Sequence, residues 1–182
     1  MAKQIIVLNG SPRPNGNTAA LIKAFTEGAE SAGNTVDSFF LDGMNISGCK
    51  GCLSGGKDPL SPCVQKDDMD KIYPVFNKAD VAVMASPLYF WTITGQLRIA
   101  FDRLLATLEC KDESIKRNKE CIMLMPAEGD KFDEAVYYYE RLMMHLKWKN
   151  LGTVLAGDVL NPGDIEGKPA LEEARKLGAS IK

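Results

Sequence analysis

Ile5-Ile6-Val7-Leu8-Asn9-Gly10-Ser11-Pro12-Arg13-Pro14-Asn15-Gly16-Asn17-Thr18-Ala19-Ala20 is the stretch on which the rest of the chain is organised. Ile5 to Leu8 is an unbroken apolar run with β-branched residues, the pattern of an interior strand covered on both faces of a parallel sheet. Gly10 to Gly16 then holds two prolines, two glycines and an asparagine, so the chain must turn sharply. Asn17, a favoured N-cap residue, opens a helix whose apolar positions Leu21, Ile22, Phe25 and Ala29 share one face and which ends near Gly33. A strand that turns straight into a helix N-terminus presents unpaired backbone N–H groups and the positive end of the helix dipole, which together attract an anion. Ser11, Asn17 and Thr18 add side-chain donors, and Arg13 adds a charge.

The kind of anion is narrowed by what the loop lacks. It contains neither G-x-x-x-x-G-K-[ST], whose lysine reaches a nucleotide β/γ-phosphate, nor G-x-G-x-x-G, the dinucleotide fingerprint. A single terminal phosphate wrapped by hydroxyls and amides fits what remains. A plain strand-to-helix connection with incidental Ser and Thr has the same composition, and only the order of residues separates the two.

Strand and helix patterns alternate along the chain. Thr35 to Leu41 is a second strand after the Gly33-Asn34 turn, and Asp42 to Lys66 is a long irregular stretch rich in glycine. Asp67 to Lys78 resumes a helix with Met69, Ile72, Val75 and Phe76 at helical spacing. Ala79 to Ala85 is the third strand, and Leu97, Phe101, Leu104, Leu105 and Leu108 mark the inner face of the next helix. Cys121 to Met125 is the fourth strand, followed by a helix from about Phe132 to Leu146. Leu151 to Ala156 is the fifth, and Ala170 to Leu177 closes the chain as a helix. Five such units imply parallel pairing with right-handed crossovers in a doubly wound, three-layer α/β domain spanning residues 1–182. Ligands in such sheets lie beyond the carboxyl ends of the strands, so the loops after strands one, three and four are the ones to search.

A 45% hydrophobic and 25% charged composition is that of an ordinary globular protein, and a net charge of -2 gives no reason to expect nucleic acid or an anionic membrane as partner. The N-terminus runs at once into a strand with no apolar segment long enough for a signal peptide or membrane span, which points to the cytoplasm. Five cysteines, an odd number, argue against a secreted disulfide framework.

After the third strand, Tyr89, Phe90 and Trp91 are three consecutive aromatics on a segment too irregular for a helix seam. They suit a flat conjugated ring, though a core aromatic cluster has the same composition. Gly10-Ser11-Pro12-Arg13 through Gly16-Asn17-Thr18, together with Ser86-Pro87-Leu88-Tyr89-Phe90-Trp91, Gly95-Gln96-Leu97-Arg98 and Asp102-Arg103, resembles the flavodoxin-like NAD(P)H-dependent FMN reductases and the related iron–sulfur flavoproteins. The resemblance implies a flavodoxin-like sheet of order 2-1-3-4-5 and FMN as cofactor, with NADH or NADPH as reductant and a quinone, free flavin or similar small molecule as acceptor. It implies that Ser11, Arg13, Asn17 and Thr18 hold the FMN phosphate, and that Pro87, Leu88, Tyr89, Phe90 and Trp91 hold the ring. It implies a homodimer, consistent with the apolar patch that the aromatic loop would leave exposed.

The turn after strand four, Pro126-Ala127-Glu128-Gly129-Asp130, has access to the other edge of such a ring. Ala127, Glu128 and Gly129 are candidate backbone contacts, the Glu128 carboxylate itself being ill placed beside an anionic flavin; a loop that merely caps the next helix is the plainer account. Cys49-x2-Cys52 resembles the start of the iron–sulfur flavoprotein motif, but Gly55 stands where a third Cys would be and Cys63 follows a longer spacer. Three thiolates are one short of the usual four, so no metal site is assigned; a Cys49–Cys52 redox pair is the minor alternative. Hydride transfer to a flavin needs no protein base, so no catalytic residue is assigned and His145, the only histidine, is left as a packing or surface residue. A flavodoxin-like or iron–sulfur flavoprotein electron carrier is the rival to a reductase.

Overall fold

A computed structural model describes all 182 residues. Five parallel strands, β1 (Gln4–Asn9), β2 (Thr35–Phe40), β3 (Val81–Ala85), β4 (Glu120–Pro126) and β5 (Lys149–Ala156), form one sheet in the order β2-β1-β3-β4-β5. The expected flavodoxin-like order is the observed one. Each strand of the centre is buried on both faces because successive residues point to opposite sides. Ile5, Val7, Val81, Val83, Ile122 and Leu124 meet α1 (Asn17–Ser31) and α6 (Pro169–Ala179). Ile6, Leu8, Ala82, Met84, Met123 and Met125 meet α2 (Met69–Lys78), α3 (Gly95–Arg103) and α5 (Asp133–Leu146) on the other face. No helix is long and apolar enough to cross a membrane.

The strand order reverses between β1 and β3, and there hydrogen bonds join the two following loops. The Gly10 amide donates to the Ala85 carbonyl at 2.8 Å, continuing the sheet past the end of β1. The Thr94 hydroxyl donates to the Gly10 carbonyl at 2.7 Å and also accepts the Leu97 amide as the N-cap of α3. The Thr94 amide in turn donates to the Ser86 hydroxyl at 2.9 Å. A Cβ at position 10 would lie 2.6 Å from both Leu97 Cβ and Thr94 Oγ1, so only glycine admits this contact.

Two sequence expectations are corrected. The N-cap of α1 is Gly16, not Asn17, because the Asn17 amide side chain is drawn away to the loop after β5. The helix following the aromatic loop breaks at Leu104 and restarts as α4 (Leu105–Glu109), which turns Leu105 and Leu108 outward rather than onto the inner face. Two hydrogen bonds fix the break. The Tyr73 hydroxyl donates to the Arg103 carbonyl at 3.1 Å, and Thr107 donates instead to the Leu104 carbonyl at 3.0 Å, tightening the turn.

Arg103 is the largest fully buried side chain, and its guanidinium pins the long irregular stretch. It donates to both Asp67 oxygens at 2.6 and 3.1 Å, to the Ser47 carbonyl at 2.7 Å and to the Gln65 carbonyl at 3.3 Å. Ser47 and Gln65 bracket the cysteine-bearing segment, so one planar fork closes its two ends together. Lys119, also buried, donates to the Phe76 and Ala79 carbonyls at the end of α2, and burial pushes its ammonium down to about 8.

Burial pushes the Asp67 carboxyl up, but hydrogen bonds from Arg103 and from the Ser47 and Met69 amides outweigh it and hold the group below the ordinary carboxylate range. A carboxyl lowered on folding contributes stability that is complete above its unfolded pKa and is lost as pH falls through its folded value. Asp67→Asn should therefore cost about 3 kcal/mol near neutral pH, since it leaves the guanidinium buried without its counter-charge, and should flatten the loss of stability on acidification. Urea unfolding of both proteins across the acid range measures each effect.

Candidate functional site

The carboxyl ends of β1, β3, β4 and β5 open onto two clefts that share a wall. The first, ≈ 160 Å³, is lined by Ser11, Arg13, Gly16, Asn17, Thr18, Pro87, Leu88, Tyr89, Pro126, Ala127, Glu128, Val159 and Leu160. The second, ≈ 320 Å³ and more open, is lined by Leu88, Tyr89, Phe90, Trp91, Ala127, Glu128 and Gly129. Each of the twelve residues singled out in the sequence lines one cleft or the other.

The inner cleft ends on the N-terminus of α1. Gly16 supplies no side-chain cap, so the first helical amides of Asn17, Thr18 and Ala19 are left for an external acceptor. The Ser11 hydroxyl closes its own turn, accepting from the Arg13 amide at 3.1 Å. Thr18 lines the cleft at 2% exposure. Arg13 spends one N–H on the Leu160 carbonyl at 2.8 Å, which leaves four of a guanidinium's five donors and its charge at the cleft. Asn17 is different. Its Nδ2 donates one of its two N–H groups to the Asn161 carbonyl at 3.0 Å and its Oδ1 accepts the Gly163 amide at 3.2 Å, so the side chain holds a loop while it lines the cleft.

The outer cleft is built on a two-residue hairpin. Tyr89 and Thr92 exchange backbone hydrogen bonds at 3.0 and 3.1 Å, with Phe90 (φ 46°) and Trp91 (φ 62°) as the central pair. Two positive-φ positions are where Asn-Gly is favoured, and a bulky aromatic there costs about 1–3 kcal/mol. Both rings are held outward, Phe90 at 92% and Trp91 at 58% exposure.

On the opposite wall the Ala127 amide is already committed to the Ala156 carbonyl at 2.9 Å, and the Ala127 carbonyl accepts from Val159 at 2.9 Å. Ala127 therefore contributes surface, while Glu128 and Gly129 carry the amides that no strand uses. Val159 and Leu160 belong to the loop after β5, outside the loops after strands one, three and four. The turn signal Asn161-Pro162-Gly163-Asp164 directly after the fifth strand was the available clue.

The cysteine segment brings three thiols to one small cleft, one fewer than a four-thiolate cluster takes. Cys49, Cys52 and Cys63 line a small cleft against α4, but no three His, Cys, Asp or Glu side chains converge as metal ligands. At the third ligand position a Cβ on Gly55 would lie 2.9 Å from the Glu109 carboxylate and 3.0 Å from Ala106 Cβ, and one on Gly56 would lie 2.8 Å from the Glu109 backbone. The loop is seated on α4 in the space where a third thiol would project. His145 is exposed on α5, away from both clefts.

Relatives agree with this architecture. An iron–sulfur flavoprotein of Archaeoglobus fulgidus is 28% identical over 175 residues, covering 94% of this chain and 76% of its own length. One of Methanosarcina thermophila is 29% identical over 170 residues, covering 93% and 85%. Among solved structures, the NAD(P)H:quinone oxidoreductase from Methanothermobacter marburgensis superposes with a TM-score of 0.72 at 18% identity over 98% of this chain and 96% of that one. An azoreductase from Bacillus anthracis does so with a TM-score of 0.71 at 20% identity over 100% of both. At such identities the superpositions establish the shared fold. The sequence profile of the NADPH-dependent FMN reductases matches residues 4–158, and the chain accordingly belongs to that family, as a flavodoxin-like flavoprotein oxidoreductase with FMN as its cofactor.

Proposed function

We propose that the protein oxidises NADH or NADPH and reduces a small acceptor such as a quinone or a free flavin, with FMN seated across the two clefts. The convergence of the β1, β3 and β4 loops on one continuous site is the observation that carries this reading. Amides of Asn17, Thr18 and Ala19, the hydroxyl of Thr18 and the charge of Arg13 would hold the phosphate. Pro87 to Trp91 would flank the ring from one side and the Ala127-Glu128-Gly129 turn from the other, the Glu128 and Gly129 amides facing charge that develops there. Bound FMN supplies the hydride chemistry. The chain's part is to fix the cofactor's position and leave one face open, so that donor and acceptor use the outer cleft in turn.

A carrier that docks to protein partners gains from a strongly charged face, which a net charge of -2 does not suggest. An iron–sulfur relay would need the ligand set that the Gly55 packing displaces. All five cysteines are unpaired, in keeping with a reducing compartment and a cytoplasmic location. The two strained, exposed aromatics form an apolar knob beside the site, and we assign it to a two-fold homodimer in which the partner covers the ring.

Replacing Arg13 and Thr18 together by alanine should weaken FMN binding by about 2–4 kcal/mol through loss of a charge-assisted contact and a hydroxyl contact. Titration of apoprotein with FMN measures it, and an unchanged dissociation constant would place the phosphate elsewhere. Anaerobic treatment with iron and sulfide should leave the flavin spectrum without a broad cluster absorption; stoichiometric iron that disappears in Cys52→Ser would reinstate the relay. Phe90→Asp should weaken dimerisation and flavin retention together, which light scattering and the bound-flavin ratio report. A wild-type monomer that retains FMN and turns over NAD(P)H would reject the dimer.

A further inference from the structure

The two ends of the cysteine-bearing segment run past each other in opposite directions. The Asp68 amide donates to the Asn45 carbonyl at 3.1 Å, the Ser47 amide to the Asp67 carboxylate at 3.0 Å, and the Gln65 side-chain amide to the Gly48 carbonyl at 3.0 Å. Arg103 holds the Ser47 and Gln65 carbonyls together from below. Each cross-link steps up one chain and down the other, so the next positions bring Cys49 abreast of Cys63 and Val64. Residues that face each other across such a pair have Cβ atoms about 4.5–5.5 Å apart, and a disulfide takes about 3.5–4.5 Å, a difference that a small shift of an irregular segment removes. Cys49 and Cys63 also line the same small cleft against α4.

The surroundings of the two thiols differ. Cys49 is exposed, and its Sγ accepts the Gly51 amide at 3.4 Å. Cys63 is half-buried beside the Tyr73 hydroxyl and the Arg103 guanidinium. The Lys66 ammonium donates to the Cys63 carbonyl at 3.1 Å and to the Ser61 carbonyl at 3.3 Å, which fixes the turn that carries the thiol. Cys52 lines the cleft as well, but it lies farther along the segment, past the last of the cross-links and next to Leu53, which is 78% exposed.

We propose that Cys49 and Cys63 form a reversible disulfide site, oxidised by hydrogen peroxide and reduced again by small thiols. The Cys49 thiolate attacks the peroxide O–O bond; a sulfenic acid forms, and the departing hydroxide takes up the proton the thiol gave and becomes water. The Cys63 sulfur then attacks the Cys49 sulfur. The S–S bond forms as the S–O bond breaks, and the departing hydroxide takes the Cys63 proton as a second water. Two thiols and one peroxide thus give one disulfide and two waters, the sulfurs losing the two electrons that the peroxide gains. Two equivalents of a small thiol restore both cysteines through a mixed disulfide. The bond closes covalently the segment whose ends Arg103 holds by charge.

The full chain, reduced and then freed of reductant, is exposed to a small excess of hydrogen peroxide, alkylated and digested with trypsin. Cleavage after Lys50 and Lys57 puts Cys49, Cys52 and Cys63 on three separate peptides, so mass spectrometry identifies the pair. Free thiols should fall by two from the five of the reduced protein, with the Cys49 peptide linked to the Cys63 peptide and both released by dithiothreitol. Cys49→Ser and Cys63→Ser should each abolish that link, and Cys52→Ser should leave its yield unchanged. Cys49 is exposed, so its variant keeps the test open if Cys63→Ser fails to fold. A Cys49–Cys52 or Cys52–Cys63 link as the main product overturns the assignment, as does a link between two chains, which a non-reducing gel separates. Oxidation that stops at single sulfurs, or that leaves all five thiols free, overturns it too.

Discussion

The site depends on the contact between Gly10 and Thr94. The loops after β1 and β3 must sit at a fixed distance if one is to serve a phosphate and the other a ring, and loops by themselves do not keep distances. Here the Thr94 hydroxyl bonds the Gly10 carbonyl and caps α3, its amide bonds Ser86, and the Gly10 amide bonds Ala85. Thr94 and Ser86 are both essentially excluded from solvent. Each would be costly to bury alone; the Thr94 hydroxyl finds its acceptor on the β1 loop, and the Ser86 hydroxyl is satisfied by the Thr94 amide and the Pro87 carbonyl of its own loop. The close approach of the Gly10 backbone to Leu97 makes the arrangement stiff as well as satisfied.

A second constraint works at the other end of α3. Buried Arg103 gathers Ser47, Gln65 and Asp67 onto the end of α3, so the two ends of the long segment are held by charge and packing. The Tyr73 bond to the Arg103 carbonyl breaks the helix there, and the restart as α4 provides the surface on which Gly55 and Gly56 are seated. In the proposed reading the flavin is the protein's catalytic redox centre, and two-electron transfer to a small acceptor is its chemistry.

Much of the fold was legible because its signals are local and repeated. Ile5 to Leu8, Val81 to Ala85 and Cys121 to Met125 are continuous apolar runs that only a strand buried on both faces requires, and the helices between them force parallel pairing. Both clefts were legible for a related reason, since parallel topology sends the loops to one edge. What was not legible depends on contacts remote in sequence. The break at Leu104 follows from a tyrosine about thirty residues earlier, an arrangement no helical period reveals. The outward turn of Phe90 and Trp91 follows from a hairpin whose central residues carry none of the usual turn chemistry. Lys119 reads as a surface charge until the carbonyl end of α2 is placed beside it.

Asn17 shows most clearly how a residue can carry a role that its place in the sequence does not reveal. A polar residue at the start of a helix beside a turn is chemically suited to cap that helix or to hold an anion, and sequence alone offers no third partner. The third partner is a turn some 145 residues later that the crossing of β5 brings back over α1. With Asn17 engaged there and Gly16 without a side chain, the first amides of α1 receive no internal acceptor, which is the condition under which a helix N-terminus binds an anion most strongly. Tying the asparagine to the distant loop and freeing the amides for phosphate are therefore one arrangement: the side chain builds the wall, and the backbone it leaves uncapped makes the floor.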